Sequence, residues 1–215
     1  MKIGIYRIIK KSLLAGFLLS LAGMFFLSVS KYHGLLVGGI CFGVGLFLIL
    51  QCDARLFTGS ILFIRDLWDK ECSRKELAIS WILIWLFNLC GSILMSGIAL
   101  ELGFDSSAVM EYKATTSNGV LFLKAILCNF MVCAATDIHK RLDKTTTDTF
   151  FNVLTVVPMF VVCGFEHSVA NMFYIPVAWG IGTLATREAF RILIVTTFGN
   201  VLGGIMYSFS TYEND

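Results

Sequence analysis

Charged residues are scarce in this chain. Only 15% of its 215 residues are Asp, Glu, Lys or Arg, against about 25% in an ordinary soluble domain. The formal net charge of +2 provides no basic face for a nucleic acid, so no nucleic-acid partner is expected. Hydrophobic residues make up 57% of the chain and the mean hydropathy is +0.79, which is typical of a membrane protein.

Paired redox or metal-binding motifs are also missing. The seven cysteines contain no Cys-x-x-Cys pair. They occur singly, mostly within apolar segments, where cysteine packs like a small hydrophobic residue. We therefore expect no disulfide framework, no metal site and no cofactor.

The apolar residues are gathered in blocks close to the ~20 residues that a membrane-spanning helix needs. No small-residue cleavage site precedes Lys31, so the first block is interpreted as a span and not as a signal peptide. The sequence predicts an all-α membrane protein with six transmembrane helices. Seven apolar blocks give six helices because 149–165 and 168–186 are the two parts of one interrupted span. The uncharged blocks cover residues 12–30, 34–52, 77–100, 149–165, 168–186 and 192–212, and a weaker block, 114–136, is interrupted by Lys124.

The placement of Lys and Arg predicts the orientation, because short cytoplasmic loops carry an excess of both. Three basic stretches share the cytoplasmic side if six spans cross and both termini are cytoplasmic. Arg187 and Arg191 run against this pattern. We expect a multi-pass protein of the cell (plasma or inner) membrane. The basic stretches contain Lys2, Arg7, Lys10 and Lys11, then Arg65, Lys70, Arg74 and Lys75, then Lys140, Arg141 and Lys144.

Charged residues interrupt two of the predicted spans. Asp53-Ala54-Arg55 interrupts the second, and nine more uncharged residues follow it, up to Ile64. Glu166-His167 interrupts the fifth, and an apolar stretch continues to Pro176. A charged side chain at bilayer depth costs a contested few to more than ten kcal/mol. A chain keeps such a pair there when it lines a cavity or a pathway.

The two interruptions occupy matching places in the two halves of the chain. Thr58 and Ser168 are 110 residues apart, close to half the chain length, which indicates an inverted 3+3 repeat with interrupted second and fifth helices. Each half-helix start leaves backbone N–H groups free, and its positive dipole end favours a small anion near the midplane. The hydroxyls of Thr58 and Ser168 can cap these starts. The alternative is a pair of kinked structural helices.

Four motifs resemble those of the formate/nitrite transporter family. The stretch from Phe165 to Phe173, FEHSVANMF, resembles the signature of that family, and LFTGS at 56–60 resembles its motif at the second-helix break. LCNFMVC at 127–133 is similar to its fourth-span motif, and GNVLGG at 199–204 to its last-span motif. The motifs follow the order of the family and cover nearly the whole chain.

This resemblance implies an aquaporin-like six-helix protomer in a homopentamer, with one pore per protomer for small monovalent anions such as formate, nitrite or hydrosulfide. Residues 1–215 would then form a single transmembrane channel domain that carries these anions and protons across the lipid bilayer and has no enzymatic activity. The implied pathway comprises the central histidine His167, the break threonine Thr58, Lys113, the outer constriction Phe42, Leu46 and Phe160, the pore-flanking Asn129 and Asn200, and Leu56, Phe57, Glu166 and Val169.

The chemistry of these residues suits weak-acid anions. A neutral His167 imidazole donates one hydrogen bond and passes a proton, and Glu166 is expected to accept hydrogen bonds from the backbone of the break. An apolar ring excludes hydrated ions, because burying an unpaired charge has an idealised cost of tens of kcal/mol. A weak acid avoids that cost by taking a proton. Lys113 would draw the anion inward; without the resemblance it reads as a solvated surface charge.

Some features depart from the family pattern. Arg55 stands where the family usually has an acidic residue, so the charge of the inner vestibule differs from the family pattern. The link between the fifth and sixth spans is short for the family, and Pro158 lies two residues later in the sequence than the family pattern places it. Lys124 receives no role.

Two other functions fit part of the sequence. An aquaporin-type channel for water or small neutral solutes shares the six-span plan, but its Asn-Pro-Ala is missing from both half-helix starts. A membrane-embedded Ser–His protease needs a nucleophile motif such as Gly-x-Ser-x-Gly, which is absent. The anion channel is therefore the predicted function, and the aquaporin type is its alternative.

Overall fold

The computed structural model describes residues 4–141 and 146–213. Lys2 and Lys144 of the predicted basic stretches lie outside the described residues. Every regular element within those residues is a helix. The elements are α1 (Ile5–Gln51), α2 (Phe57–Ser60), a 3₁₀ turn (Ile61–Phe63), α3 (Ile64–Trp68), α4 (Arg74–Glu101), α5 (Ser107–Thr115), α6 (Asn118–Arg141), α7 (Thr146–Val162), α8 (Ser168–Gly180) and α9 (Thr186–Ser210).

The long element α1 is a hairpin of two helices. A straight helix of its 47 residues would measure about 70 Å, more than twice the ~30 Å hydrocarbon core of a bilayer. Gly34 breaks it with φ 79° and ψ 174°, a conformation that an L side chain rarely adopts. Beyond the break, Gly38 packs on Phe26, and a Cβ on Gly45 would lie 2.5 Å from the Cβ of Ala22. The two arms therefore run antiparallel.

Small residues bring the helices close together. The helix α1 packs against α4 and α7, and α6 packs against α9. A Cβ on Gly91 would lie 2.4 Å from the carbonyl oxygen of Leu13, and one on Gly203 would lie 2.1 Å from that of Ile126. Only glycine permits such an approach of two backbones. The last span therefore packs closely on α6 through Gly203.

Length, composition and exposure identify a multi-pass membrane protein. The helices α1, α4, α6 and α9 are long and apolar enough to cross a bilayer, and α7 is a shorter apolar helix of 17 residues. Large apolar side chains point outward, with Leu94 and Phe198 each 65% exposed. Hydrocarbon chains, and not water, suit this surface.

Basic residues from distant parts of the chain meet on one side of the molecule. Arg7, near the start of α1, pairs with Asp53 at 3.4 Å. Arg65 donates to the hydroxyl of Thr211 at 2.5 Å, and Arg141 donates to its carbonyl at 3.5 Å. Asp53, Arg65 and Asp137, the partner of Arg141, line one cavity. The start of α1, the end of α9 and the cations Arg7, Arg65 and Arg141 therefore share a side.

Both predicted interruptions are present, and each consists of five non-helical residues, 52–56 and 163–167. The half-helices that follow are longer than predicted. The run from α2 to α3 continues past Ile64 to Trp68, and α8 continues past Pro176 to Gly180. A change in hydropathy marked Ile64 as an end, but the backbone hydrogen bonds continue into charged residues, and Pro176 lies inside its helix.

Candidate functional site

The two half-helices meet at their first turns. The hydroxyl oxygen of Thr58, in the first turn of α2, lies 3.1 Å from Nε2 of His167, immediately before α8. Thr58 is completely buried and His167 is 4% exposed. The structure therefore brings the predicted central histidine and break threonine into direct contact.

The hydrogen bonds of His167 assign its tautomer. His167 is the N-cap of α8, and its Nδ1 accepts the backbone N–H of Ala170 at 3.2 Å. In the neutral ring the proton therefore resides on Nε2, which donates to the hydroxyl oxygen of Thr58. The ring of Phe160 lies nearly parallel to the imidazole, with centroids 6.3 Å apart and an interplanar angle of 22°.

The expected hydroxyl caps are wrong, because asparagines on other helices bind the first N–H group of each half-helix, and the ring of His167 binds a further one at α8. Asn88 of α4 accepts the N–H of Phe57, the first residue of α2, at 2.8 Å. Its amide nitrogen donates to the carbonyls of Ser12 at 2.8 Å and Arg55 at 2.9 Å. One buried amide therefore joins the first arm of α1, the first interruption and α2.

Asn200 of α9 makes the same three connections at the second interruption. It accepts the N–H of Ser168, the first residue of α8, at 2.7 Å, and donates to the carbonyls of Ala125 and Glu166, each at 2.8 Å. The partners of Asn88 precede it by 76 residues (Ser12), 33 (Arg55) and 31 (Phe57). The partners of Asn200 precede it by 75 residues (Ala125), 34 (Glu166) and 32 (Ser168).

A third amide braces the junction from α6. The Nδ2 of Asn129 donates to the carbonyl of Thr58 at 3.2 Å and to that of Asn200 at 2.6 Å. Asn129 therefore ties α2 to α9 beside the Thr58–His167 contact. Within the described residues, the Oδ1 of Asn129 and the hydroxyl of Ser168 are buried without a hydrogen-bond partner.

A buried ion pair stands next to the histidine. The ammonium group of Lys113 lies 2.9 Å from the carboxylate of Glu166 and 2.6 Å from Oδ1 of Asn171. Asn171 also donates to Glu166 at 3.2 Å. The expectation of backbone donors for Glu166 is wrong, because side chains of α5 and α8 bind its carboxylate instead. Lys113 is only 9% exposed and is not a solvated surface charge.

Arg191 fixes the segment that carries Lys113. Its guanidinium donates to the carbonyls of Lys113 at 3.1 Å, Ala114 at 2.8 Å and Thr116 at 3.0 Å, at the C-terminal end of α5. It also pairs with Glu188 at 2.5 Å. Cations stabilise the negative end of a helix. Binding to the C-terminal carbonyls of α5 therefore explains why Arg191 departs from the predicted distribution of Lys and Arg.

The predicted apolar residues are all buried. Phe160 contacts His167 as described, and Phe42 packs edge-on against Phe26 with centroids 6.3 Å apart. Leu46, one turn after Phe42, lines a cavity of about 530 Å³ together with Leu56. The remaining predicted residues, Phe57 and Val169, are buried beside the half-helix starts. A constriction formed by Phe42, Leu46 and Phe160 stays a prediction.

Comparison with known proteins identifies the family. The sequence profile described as formate/nitrite transporter matches residues 1–212. The chain belongs to the formate/nitrite transporter family. Formate channel FocA of Escherichia coli K12 is 30% identical over 244 residues, with 94% of this chain and 85% of that protein covered. A probable formate transporter of Methanothermobacter thermautotrophicus is 30% identical, with coverages of 80% and 72%.

Two solved structures of this family share the fold. A pentameric formate channel with formate bound superposes with a TM-score of 0.82 at 26% identity, covering 96% of this chain and 95% of that one. An ion channel of the same family superposes with a TM-score of 0.87 at 26% identity, covering 94% and 87%. The described helices therefore have the arrangement of formate/nitrite transporter channels.

In this member of the formate/nitrite transporter family, sequence reasoning missed three supporting residues: Asn88, Asn171 and Arg191. Asn88 is a single amide within the apolar block 77–100, and a lone buried amide needs partners. In the sequence, Arg191 stands out as an exception to the charge pattern. Lys124, left without a role, donates to the hydroxyl of Tyr112 at 2.7 Å and lies 4.8 Å from the centre of its ring.

Proposed function

We propose that this protein is a membrane channel for small monovalent anions of weak acids, namely formate, nitrite or hydrosulfide. The contact between Thr58 and His167 carries the proposal. It places a polar, proton-bearing pair where two half-helices begin, inside a molecule whose outer surface suits lipid. The family membership and the formate-bound structural relative support the same substrate class.

The proposed architecture is a single channel domain of six spans in two inverted halves. The first arm of α1, its second arm with α2 and α3, and α4 form one half. The helices α6, α7 with α8, and α9 form the other. The matching bonds of Asn88 and Asn200 support this repeat, because the same three partners recur at nearly the same sequence separations. An inverted repeat places a transport site between its two interrupted helices.

An anion approaching from the α5 side first meets the ammonium group of Lys113, which has three N–H donors and binds two acceptors within the described residues. Glu166 and Asn171 hold this ammonium group in place. The anion then passes the apolar side chains that include Phe160, where a bare charge is costly. Attraction followed by an apolar barrier favours a species that can become neutral within the pore, and this property separates weak-acid anions from chloride.

His167 supplies the proton in this proposal. The Nε2–H proton, directed at the hydroxyl of Thr58, passes to the anion and forms the neutral acid. In the same concerted step Nδ1 gives up its bond to the N–H of Ala170 and takes up a proton from the solution on the side from which the anion enters. The ring therefore stays neutral throughout, and the sum of the step is the transfer of one solution proton to one anion. Proton transfer by a positioned side chain contributes typically ~10²–10⁴-fold in rate.

We also propose a homopentamer in the cell membrane with both termini cytoplasmic. The pentameric structural relative supports the assembly. The side shared by Arg7, Arg65 and Arg141 would face the cytoplasm, since an excess of Lys and Arg marks that side. Lys113 and α5 would then face outward.

Flux through proteoliposomes tests the function. Formate, nitrite and hydrosulfide would be compared at two pH values, with empty liposomes measuring diffusion of the neutral acids through lipid. The proposal expects flux of at least one of these anions well above the empty liposomes and above chloride flux. Water or glycerol permeation without any anion flux would reject it in favour of the aquaporin-type alternative.

A further inference from the structure

Two cations, Arg55 and Lys140, lie near the end of α6, whereas Lys113 lies near its start, where Arg191 binds both Lys113 and Asn118. Arg55, Lys140 and Phe63 line the cavity of about 530 Å³ that Leu46 and Leu56 also line. The guanidinium carbon of Arg55 lies 5.1 Å from the centre of the Phe63 ring, and the ammonium nitrogen of Lys140 lies 5.6 Å from the same centre. One aromatic ring therefore holds two positive charges at the wall of this cavity.

Arg55 is fixed in position by its backbone. Its N–H donates to the carbonyl of Lys11 at 3.0 Å, and its carbonyl accepts from Asn88 at 2.9 Å. Within residues 4–141 and 146–213, its guanidinium and the ammonium group of Lys140 form no hydrogen bond or ion pair. A cation–π contact uses the charge of the cation and leaves the N–H donors available.

The neighbouring cations are engaged by carboxylates. Arg65 and Arg141 both bind Asp137, at 2.8 and 3.2 Å. Arg7 and Lys11 bind Asp53, at 3.4 and 3.6 Å.

Two further carboxylates, Asp66 and Glu71, also line the cavity. Neither forms an ion pair with Arg55 or Lys140 in the described part of the chain. Like charges such as Arg55 and Lys140 repel each other across a cavity wall, and an anion between them would relieve the repulsion.

Comparison of the two repeat halves shows how the end with Arg55 and Lys140 differs from the end with Lys113 and Glu166. Glu166 and Arg55 occupy equivalent places, because each gives its backbone carbonyl to the asparagine of its own half, Asn200 or Asn88. Glu166 forms an ion pair with Lys113. Arg55 instead adds a positive charge to a cavity that Lys140 and the carboxylates Asp53, Asp66, Glu71 and Asp137 also line. Neither Arg55 nor Lys140 forms an ion pair within the described residues, whereas Lys113 does.

We propose that Arg55 and Lys140 bind a planar two-oxygen anion, such as formate or nitrite, at the cavity mouth of the channel. This inference rests on the proposed function and adds a second anion site to it. The guanidinium fork matches two oxygens of one anion, and Lys140 adds a third donor group. Formate and nitrite fit this donor set better than chloride, which has one centre and no fixed acceptor direction.

Chemical protection tests the site without transport. Purified protein in detergent is treated with phenylglyoxal, and mass spectrometry follows the modification of Arg55 and of Arg74. Arg74 is exposed and begins α4, so it reports unprotected arginine in the same sample. We expect formate or nitrite to slow modification of Arg55 at least fivefold more than chloride at equal ionic strength, with no effect on Arg74. Equal rates at Arg55 in formate and chloride would overturn the proposal.

Variants separate the pair from general charge effects. Lys140→Gln should raise the formate concentration that half-protects Arg55 at least fivefold, whereas Arg74→Gln, with the same charge loss outside the cavity, should leave it unchanged. An unchanged value in Lys140→Gln removes Lys140 from the site. Proteoliposome flux of the wild type distinguishes the two proposals. Flux without protection contradicts this site alone, and protection without flux contradicts the proposed channel function alone.

Discussion

The hydroxyl of Thr58 lies 3.1 Å from Nε2 of His167, although 109 residues separate them in the sequence. Each residue belongs to the start of a half-helix, so this buried contact joins α2 to α8. The backbone on both sides is held by buried amides, Asn88 at α2 and Asn200 at α8. The geometry of the pair therefore depends on residues that do not touch it.

Asn88→Ala should destabilise the protein strongly. The change leaves the N–H of Phe57 and the carbonyls of Ser12 and Arg55 without their partner, and each unsatisfied buried group costs about 1–3 kcal/mol. Asn152→Ala is the matched control, because the side chain of Asn152 makes one hydrogen bond within the described residues, to the carbonyl of Ala135 at 2.7 Å. Unfolding in detergent should show a loss for Asn88→Ala that is at least twice that of the control. Equal losses would mean that Asn88 does not anchor the interruption.

Arg191→Lys should weaken anion capture although it keeps the charge. Lysine cannot reproduce the planar fork that binds several carbonyls, so the C-terminal end of α5 and the ammonium group of Lys113 become less well placed. We expect the half-saturating formate concentration to rise about three- to tenfold, or about 1 kcal/mol, with flux at saturation retained. Arg187→Gln, an exposed arginine one turn earlier, should match the wild type. A variant that lowered only the saturating flux would contradict a positioning role for Arg191.

Phe160→Ala should relax selectivity. Phe160 is 3% exposed and stacks against His167, so truncation opens space beside the imidazole and admits acetate or chloride alongside formate. Phe151→Ala on the same helix is the control, since Phe151 is 62% exposed. Relative fluxes of the three anions measure the effect. Wild-type ratios in Phe160→Ala would remove Phe160 from the constriction.

The detergent-purified protein should be a homopentamer. Large apolar side chains cover the outer helix surfaces, with Ile82 58% and Phe198 65% exposed, and neighbouring protomers can bury part of that surface. Native mass spectrometry in several mild detergents gives the stoichiometry. Only monomers or tetramers in all of them would contradict the assembly.

The helices and their interruptions were predictable because they depend on local composition. Apolar blocks near spanning length and charges inside two of them located both breaks, including the residues from Asp53 to Arg55. Half-helix lengths were underestimated at Ile64 and Pro176, since hydropathy changes there while the backbone hydrogen bonds continue.

The partners within the site were not predictable from one sequence. Asn88 and Arg191 bind backbone carbonyls, and no residue type marks a carbonyl that needs a donor. Glu166 was expected to bind backbone, yet its partners Lys113 and Asn171 come from α5 and α8. Such contacts follow from how helices pack, and the hydropathy pattern contains little information about rotation around each helix axis.

The pH dependence of His167→Asn tests the central claim most directly. An asparagine amide keeps a hydrogen-bond donor for Thr58 but does not titrate near neutral pH. If His167 gives its proton to the anion, wild-type flux should rise as the pH falls. The proton-linked flux of the variant should drop about a hundredfold, and its remaining flux should become flat with pH while the pentamer persists. A variant that transports with the wild-type pH profile would show that His167 shapes the pore as a dipole and relays no proton.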